Sequence, residues 1–430
     1  MITGIIAFAV LLALCFVGLP LAFAMIVVGV AGLTIERGFG PAAVALSQQA
    51  IDWSTNYGLT VLPMFILMGA LVHHARLAED LYAAANAWMG HRRGGLAMAT
   101  ISASAGLAAV SGTSLATTAI MSKVSIPAMR RYRYSDSLAA GSCAAGGTLG
   151  ILIPPSIPMA IYGIITETDI GLLFIAGILP GILLTLLYVV AVAAIARLDP
   201  AGAPPAEISD WPTRWRLLVR TWGIVALMLL VLGGMYFGIF TPTEAAGIGA
   251  AGALFYAMLR KQLSLAALRD SLLEAGKTTS NVFMIGIGAL VFAKFLTLAG
   301  MTGAMVKWVE GLDVSPLGVV WAICLIYIVL GCVFESLGML LLTVPIFFPV
   351  VQALGIDPIW FGIIVILVVE IGLITPPVGI NVFIVKGLFR EINLWTIYRG
   401  IVPFLIANIL CLVIIMYVPS IATWLPKLMR

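Results

Sequence analysis

Gly146-Gly147-Thr148-Leu149-Gly150-Ile151-Leu152-Ile153-Pro154-Pro155-Ser156 is the stretch on which the fold turns. It lies inside an apolar run, yet two adjacent prolines withdraw two backbone donors and the glycines before them loosen a helix. Gly372-Leu373-Ile374-Thr375-Pro376-Pro377 is built the same way. Both read as helices that unwind partway. Bare backbone at membrane depth persists only where something satisfies its polar groups.

The surroundings of these stretches require a bilayer. The chain has 430 residues, 62% hydrophobic and 10% charged, with mean hydropathy +1.13. Soluble domains carry about 25% charge. Crossings of roughly 20 apolar residues are expected near 2–18, 19–35, 59–75, 137–165, 170–196, 217–240, 243–259, 278–300, 359–386 and 399–421. The first is kept as a span because no basic n-region or cleavage site marks a removed signal. Amphipathic pieces such as 77–90 and 263–276 are expected to lie flat on the surface. No soluble catalytic module fits between the spans.

Two further apolar segments are interrupted. Residues 94–131 break at Ser111-Gly112-Thr113-Ser114, and residues 315–353 at Glu335-Ser336. Each half suits one arm of a re-entrant hairpin. If both hairpins return to their own side, most of the 23 basic residues fall on one face, among them Arg76, Arg92, Arg93, Arg130, Arg131, Arg133, Arg214, Arg260 and Lys277. The positive-inside rule makes that face cytoplasmic. The basic residues are thus topology signals, and a nucleic-acid partner is not expected. The tail with Lys427 and Arg430 falls on the other side and disagrees mildly.

Landmarks recur at one offset. Pro20 pairs with Pro242, Ser114 with Ser336, Pro127 with Pro349, Gly150 with Gly372, and Pro154-Pro155 with Pro376-Pro377, each 222 residues apart (336 − 114 = 222). The expected fold class is an all-α polytopic membrane protein of two inverted repeats, each with five transmembrane helices and one hairpin, of the elevator-type transporter kind. The first repeat is 1–197, with hairpin 94–131 and broken helix 137–165. A cytoplasmic linker is 198–216. The second repeat is 217–430, with hairpin 315–353 and broken helix 359–386. Inverted repeats with discontinuous helices place a binding site near the midplane.

The chemistry follows from oxygen atoms. Freed carbonyls suit a hard cation. Candidate sodium-binding residues are Ser111, Gly112, Thr113, Ser114, Gly150, Ile153, Pro154 and Pro155 in the first half. In the second half they are Glu335, Ser336, Gly372, Ile374, Thr375 and Pro376. Helix N-termini at the hairpin tips favour a carboxylate. Candidate substrate-binding residues are Ser114, Pro155, Ser156, Ser336, Pro377 and Asn381. Glu335 is either a ligand or a cap for its arm. Glu370 is an intramembrane acid that merits weighing by default. Lys123 and Lys294 either neutralise an anion, snorkel or sit in an internal ion pair. The five cysteines and three histidines show no metal spacing, so no transition-metal site is expected.

At this point the sequence resembles a known family, the large membrane subunit (M, or DctM, type) of tripartite ATP-independent periplasmic (TRAP) transporters. The carriers are Gly238-Ile239-Phe240-Thr241-Pro242-Thr243-Glu244-Ala245-Ala246, Ser111-Gly112-Thr113-Ser114 with Gly150-Ile151-Leu152-Ile153-Pro154-Pro155-Ser156, and Gly372-Leu373-Ile374-Thr375-Pro376-Pro377-Val378-Gly379-Ile380-Asn381. The resemblance covers essentially the whole chain. It implies a bacterial inner-membrane protein, a small four-helix membrane subunit (Q type) and a periplasmic substrate-binding protein (P type) as partners. It also implies a sodium gradient as driving force, elevator motion and a carboxylate substrate, with Na⁺ as coupling ion and no other cofactor. A stand-alone sodium- or proton-coupled elevator carrier is the alternative. An intramembrane enzyme lacks a paired constellation of acids or histidines in its spans.

Overall fold

The computed structural model describes residues 2–311 and 314–429, so Arg430 of the basic tail lies outside the described residues. Among these residues all regular structure is helical. Six helices are long and apolar enough to cross a bilayer alone: Tyr57–His74, Asp136–Thr166, Ile170–Leu198, Leu265–Leu298, Ser336–Ala353 and Leu394–Tyr417. Trp211–Arg220 with Trp222–Tyr236 makes a seventh across a 44° bend. The chain is an all-α polytopic membrane protein. Its shorter apolar helices, Ile2–Phe16, Leu21–Arg37, Pro242–Leu259 and Pro358–Ile374, run 15 to 18 residues.

Several expectations need correction. Residues 263–276 are not a separate surface piece: Leu265–Leu298 is one helix of 34 residues, because nothing in Gly276-Lys277-Thr278 removes a backbone donor. The linker ends earlier than residue 216, since Trp211–Arg220 is already helical. The loop 199–210 is pinned where Ala203 and Gly202 carbonyls accept from the Gly94 and Ser135 amides. The crossing expected at 217–240 bends at Thr221 and carries a π-turn at Leu229–Gly233. Phe39–Thr55, Met301–Glu310 and Ser420–Leu428 are helices without a counterpart in the sequence reading. Ser336–Ala353, the second arm of the expected hairpin 315–353, has 18 residues, about 27 Å by helical rise, the same length as Ser114–Arg131 in the first.

Helix boundaries recur with the offset of the sequence landmarks. Asp136–Leu152 and Pro358–Ile374 begin and end 222 residues apart (358 − 136 and 374 − 152). The arms Ser114–Arg131 and Ser336–Ala353 begin at the same offset.

The two halves interlock. Leu21–Arg37 packs on Leu265–Leu298, and Pro242–Leu259 on Val61–His74. The short helix after each break packs on the opposite half's hairpin: Ile380–Leu388 on Ser114–Arg131, and Ile157–Thr166 on Ser336–Ala353. Charges gather at the end the basic residues mark as cytoplasmic. Arg130 bonds Asp136 at 2.8 Å and Glu391 at 2.6 Å. Buried Asp80 pairs with Arg220 at 3.0 Å and with Arg260.

Candidate functional site

Each interrupted segment forms two helices that meet at a short tip. Gly95–Ser111 ends at Gly112, whose φ of +62° is open to glycine and strained for other residues. Ser114–Arg131 starts after Thr113. In the second half Pro316–Gly331 ends, four residues intervene, and Ser336–Ala353 begins. Both tips face one cavity of about 310 Å³, with Ser111, Thr113 and Ser114 on one side and Glu335, Ser336 and Leu337 on the other. Two helix N-termini, at Ser114 and Ser336, therefore converge on a single space that favours negative charge.

The first break is narrower than its glycines suggested. Gly146 to Leu152 remain helical, and only residues 153–156 unwind. It is sealed against the first tip. The Gly112 carbonyl accepts from the Ile157 amide at 3.3 Å. A Cβ added at Gly112 meets the Pro155 carbonyl at 3.0 Å, and one at Gly150 meets the Thr113 carbonyl at 2.4 Å. Thr117, which sequence reasoning missed, bonds the Ser111 hydroxyl at 2.7 Å and donates to the Thr113 carbonyl at 2.8 Å.

The second break spans residues 375–379 and leaves Pro376 and Pro377 exposed. Its freed carbonyls already have donors. The Cys332 thiol reaches Pro376 at 3.3 Å, and the Tyr398 hydroxyl reaches Pro377 at 2.7 Å and Val378 at 2.8 Å. Thr375 donates to the Ile371 carbonyl at 2.5 Å. A carbonyl keeps a second lone pair after one bond, so these oxygens retain acceptor capacity.

The cavity does not gather every expected residue. Gly112, Gly150, Ile153, Pro154, Pro155, Ser156, Gly372, Ile374, Thr375, Pro376, Pro377 and Asn381 do not line it. Ser156 is fully buried, donates to the Ile151 carbonyl and caps the next helix through the Met159 amide, so its hydroxyl is used structurally. Asn381 is also fully buried. It stands behind the first tip, donating to the Ser114 hydroxyl at 2.7 Å and to the Ala144 carbonyl at 3.2 Å. Gly372 is helical, and a Cβ there meets Gly331 Cα at 2.6 Å, so its role is close packing.

Glu335 occupies the cap position of its arm but makes no capping bond; its side chain lines the cavity instead. His73, Glu274 and Thr278 line the cavity too and were not singled out. Glu274 became legible only when Leu265–Leu298 proved continuous. Glu370 is fully buried, and among the described residues neither carboxyl oxygen has a hydrogen-bond partner.

Residues 8–421 match the family described as "Tripartite ATP-independent periplasmic transporter, DctM component". The C4-dicarboxylate TRAP transporter large permease protein DctM of Pseudomonas aeruginosa is 38% identical over 402 residues, covering 93% of each chain. The sialic acid TRAP transporter large permease protein SiaM of Vibrio cholerae is 32% identical, covering 97% of each. The YdaH transporter of Alcanivorax borkumensis has a similar fold, with TM-score 0.65 at 15% identity, covering 89% of this chain and 88% of that one. A membrane protein throughout, with paired hairpin tips on one cavity and this match along nearly its full length, the chain belongs to the inner-membrane DctM family, the large components of tripartite ATP-independent periplasmic transporters.

Proposed function

We propose that the chain carries a small carboxylate inward by secondary active transport driven by a sodium gradient. The observation that carries this reading is the convergence of both hairpin tips on one cavity. A carboxylate lying there meets two helix N-termini and the hydroxyls of Ser114 and Ser336.

The residues beside the tips offer mostly hydroxyl, carboxylate and carbonyl oxygens, which fit a hard monovalent cation rather than a soft metal. Ser111, Thr113 and Thr117 with the Gly112 and Pro155 carbonyls would hold Na⁺ at the first junction. Glu335, Ser336, Thr375 and the Pro376 carbonyl would hold it at the second. Bound sodium supplies positive charge that fixes these oxygens and offsets the substrate's own charge. The recurrence of helix boundaries at 222 residues supports two halves of inverted orientation, with hairpins entering from opposite faces. On this reading the tips, the breaks and the helices between them move as one body against Leu21–Arg37, Val61–His74, Pro242–Leu259 and Leu265–Leu298. A small four-helix membrane subunit and a periplasmic binding protein complete the system.

Proteoliposomes holding the chain with its small subunit, supplied with loaded binding protein, test this directly. Uptake should require inward-directed sodium and persist without ATP. Uptake that ignores sodium and stops on ATP removal overturns the reading.

A further inference from the structure

The cavity has two unlike ends. At its inner end are the hairpin tips. Toward the end that the basic residues mark as cytoplasmic it is lined by His73, Lys123, Glu274 and Thr278. Lys123 is the only Lys or Arg in the lining. It is exposed, and among the described residues no carboxylate lies within 4.0 Å of its ammonium. Its charge is therefore not consumed by an internal ion pair, the most economical structural reason for a lysine here.

Position along the arm gives the charge a use. Leu115, Ala116, Ala119, Ile120 and Lys123 share the cavity-facing side of Ser114–Arg131, at the spacing of one helical face. Lys123 lies nine residues after Ser114, about 13 Å along the axis. Side chains on a helix lean toward its N-terminus, so the four-carbon stem can reach back along the arm toward the tip. Between tip and ammonium the arm presents small or apolar groups. Such a space suits a short carbon chain with an acidic group at each end.

We propose that Lys123 is a specificity-determining residue whose ammonium holds the second acidic group of a dianionic substrate at the cytoplasmic mouth while the hairpin tips hold the first. This rests on the carboxylate reading above and deepens it. The second half has no equivalent: residue 345, at the 222 offset (123 + 222), is proline. The charge is thus on one side of the molecule only.

The test uses a reporter thiol at Ala119→Cys in inside-out vesicles, scored above the parent protein with its native cysteines. Two methanethiosulfonate reagents of similar size are compared, one sulfonate and one trimethylammonium. With Lys123 present the anionic-to-cationic rate ratio is the reference. Lys123→Gln should lower the anionic-to-cationic rate ratio about tenfold, and Lys123→Arg should restore it. An unchanged ratio in Lys123→Gln overturns the proposal. In the second arm, succinate should slow alkylation more than butyrate, and Lys123→Gln should erase that difference. Equal effects of the two acids with Lys123 in place also overturn it. Neither arm reads sodium-driven uptake, so failure of the transport reading and failure of this one are told apart.

Discussion

The two junctions occupy equivalent positions yet are built differently. The first is a closed seam: Pro154, Pro155 and Ser156 are buried, and the tip presses its backbone on the break through Gly112 and Gly150. The second leaves Pro376 and Pro377 exposed, with Cys332 of the tip and Tyr398 of Leu394–Tyr417 donating to its carbonyls. Close backbone packing holds both, at Gly150 on Thr113 and at Gly372 on Gly331, but the second adds side-chain donors to its freed carbonyls that can be removed one at a time. Mutations at the first should therefore act through packing, and removal of a donor at the second through ion affinity.

The seam should be the more fragile. Gly150→Ala drives a methyl into the Thr113 carbonyl, a backbone atom with little room to yield, and overpacking of this kind typically costs about 1–3 kcal/mol. We expect at least a tenfold loss of sodium-dependent uptake with a lowered Tm in detergent. Normal uptake in this variant would break the contrast. Next comes a donor at the second break. Tyr398→Phe removes the donor shared by the Pro377 and Val378 carbonyls. The sodium concentration for half-maximal uptake should rise about three- to tenfold while Tm barely moves, and a large Tm loss without a sodium effect would reverse the assignment.

The two tip serines sharpen the comparison. Ser114→Ala strips Asn381 of one partner inside the core, a loss of about 1 kcal/mol visible in denaturation. Ser336 has no such bond among the described residues, so Ser336→Ala should leave stability intact and weaken sodium dependence alone. Equal stability losses in both would show that the asymmetry does not reach the tips. The smallest effect concerns the base of the first hairpin. The Arg130 guanidinium holds the Glu391 carboxyl below its ordinary range. Stabilisation from a lowered carboxyl is present above the unfolded value, about 4.3 for glutamate, and fades as pH falls through the folded one. The slight Tm deficit of Glu391→Gln near pH 7 should vanish under acid; a deficit that persists below pH 3 removes the ion pair as its cause.

What could be read in advance depended on whether a feature is local. Paired prolines and a glycine with a forced φ act on their own backbone, so a break at each Pro-Pro pair and the tip at Gly112 were visible in the residues, while the helical state of residues 146–152 and 372–374 was not. The common offset was visible because it needs only matching letters. Helix continuity was not. Charged residues around Lys277 interrupt hydropathy without interrupting hydrogen bonding, so Leu265–Leu298 looked divided. The bend at Thr221 and the π-turn after it have no Pro or motif to announce them. Asn381 was singled out, but its place behind Ser114 depends on a contact spanning 267 residues. Thr117 and Glu274 acquire meaning only from neighbours in three dimensions.

The crossed packing of short helices on opposite hairpins has an evolutionary and practical corollary. If residues 2–197 and 217–429 were made as two polypeptides, each hairpin would lose packing that the other half provides: Ile380–Leu388 supplies the flank of Ser114–Arg131, and Ile157–Thr166 that of Ser336–Ala353. Such fragments should be recovered only when co-produced. A half-length gene product would have to pair with a second copy of itself, and fusion would make permanent a partnership that the packing already demands.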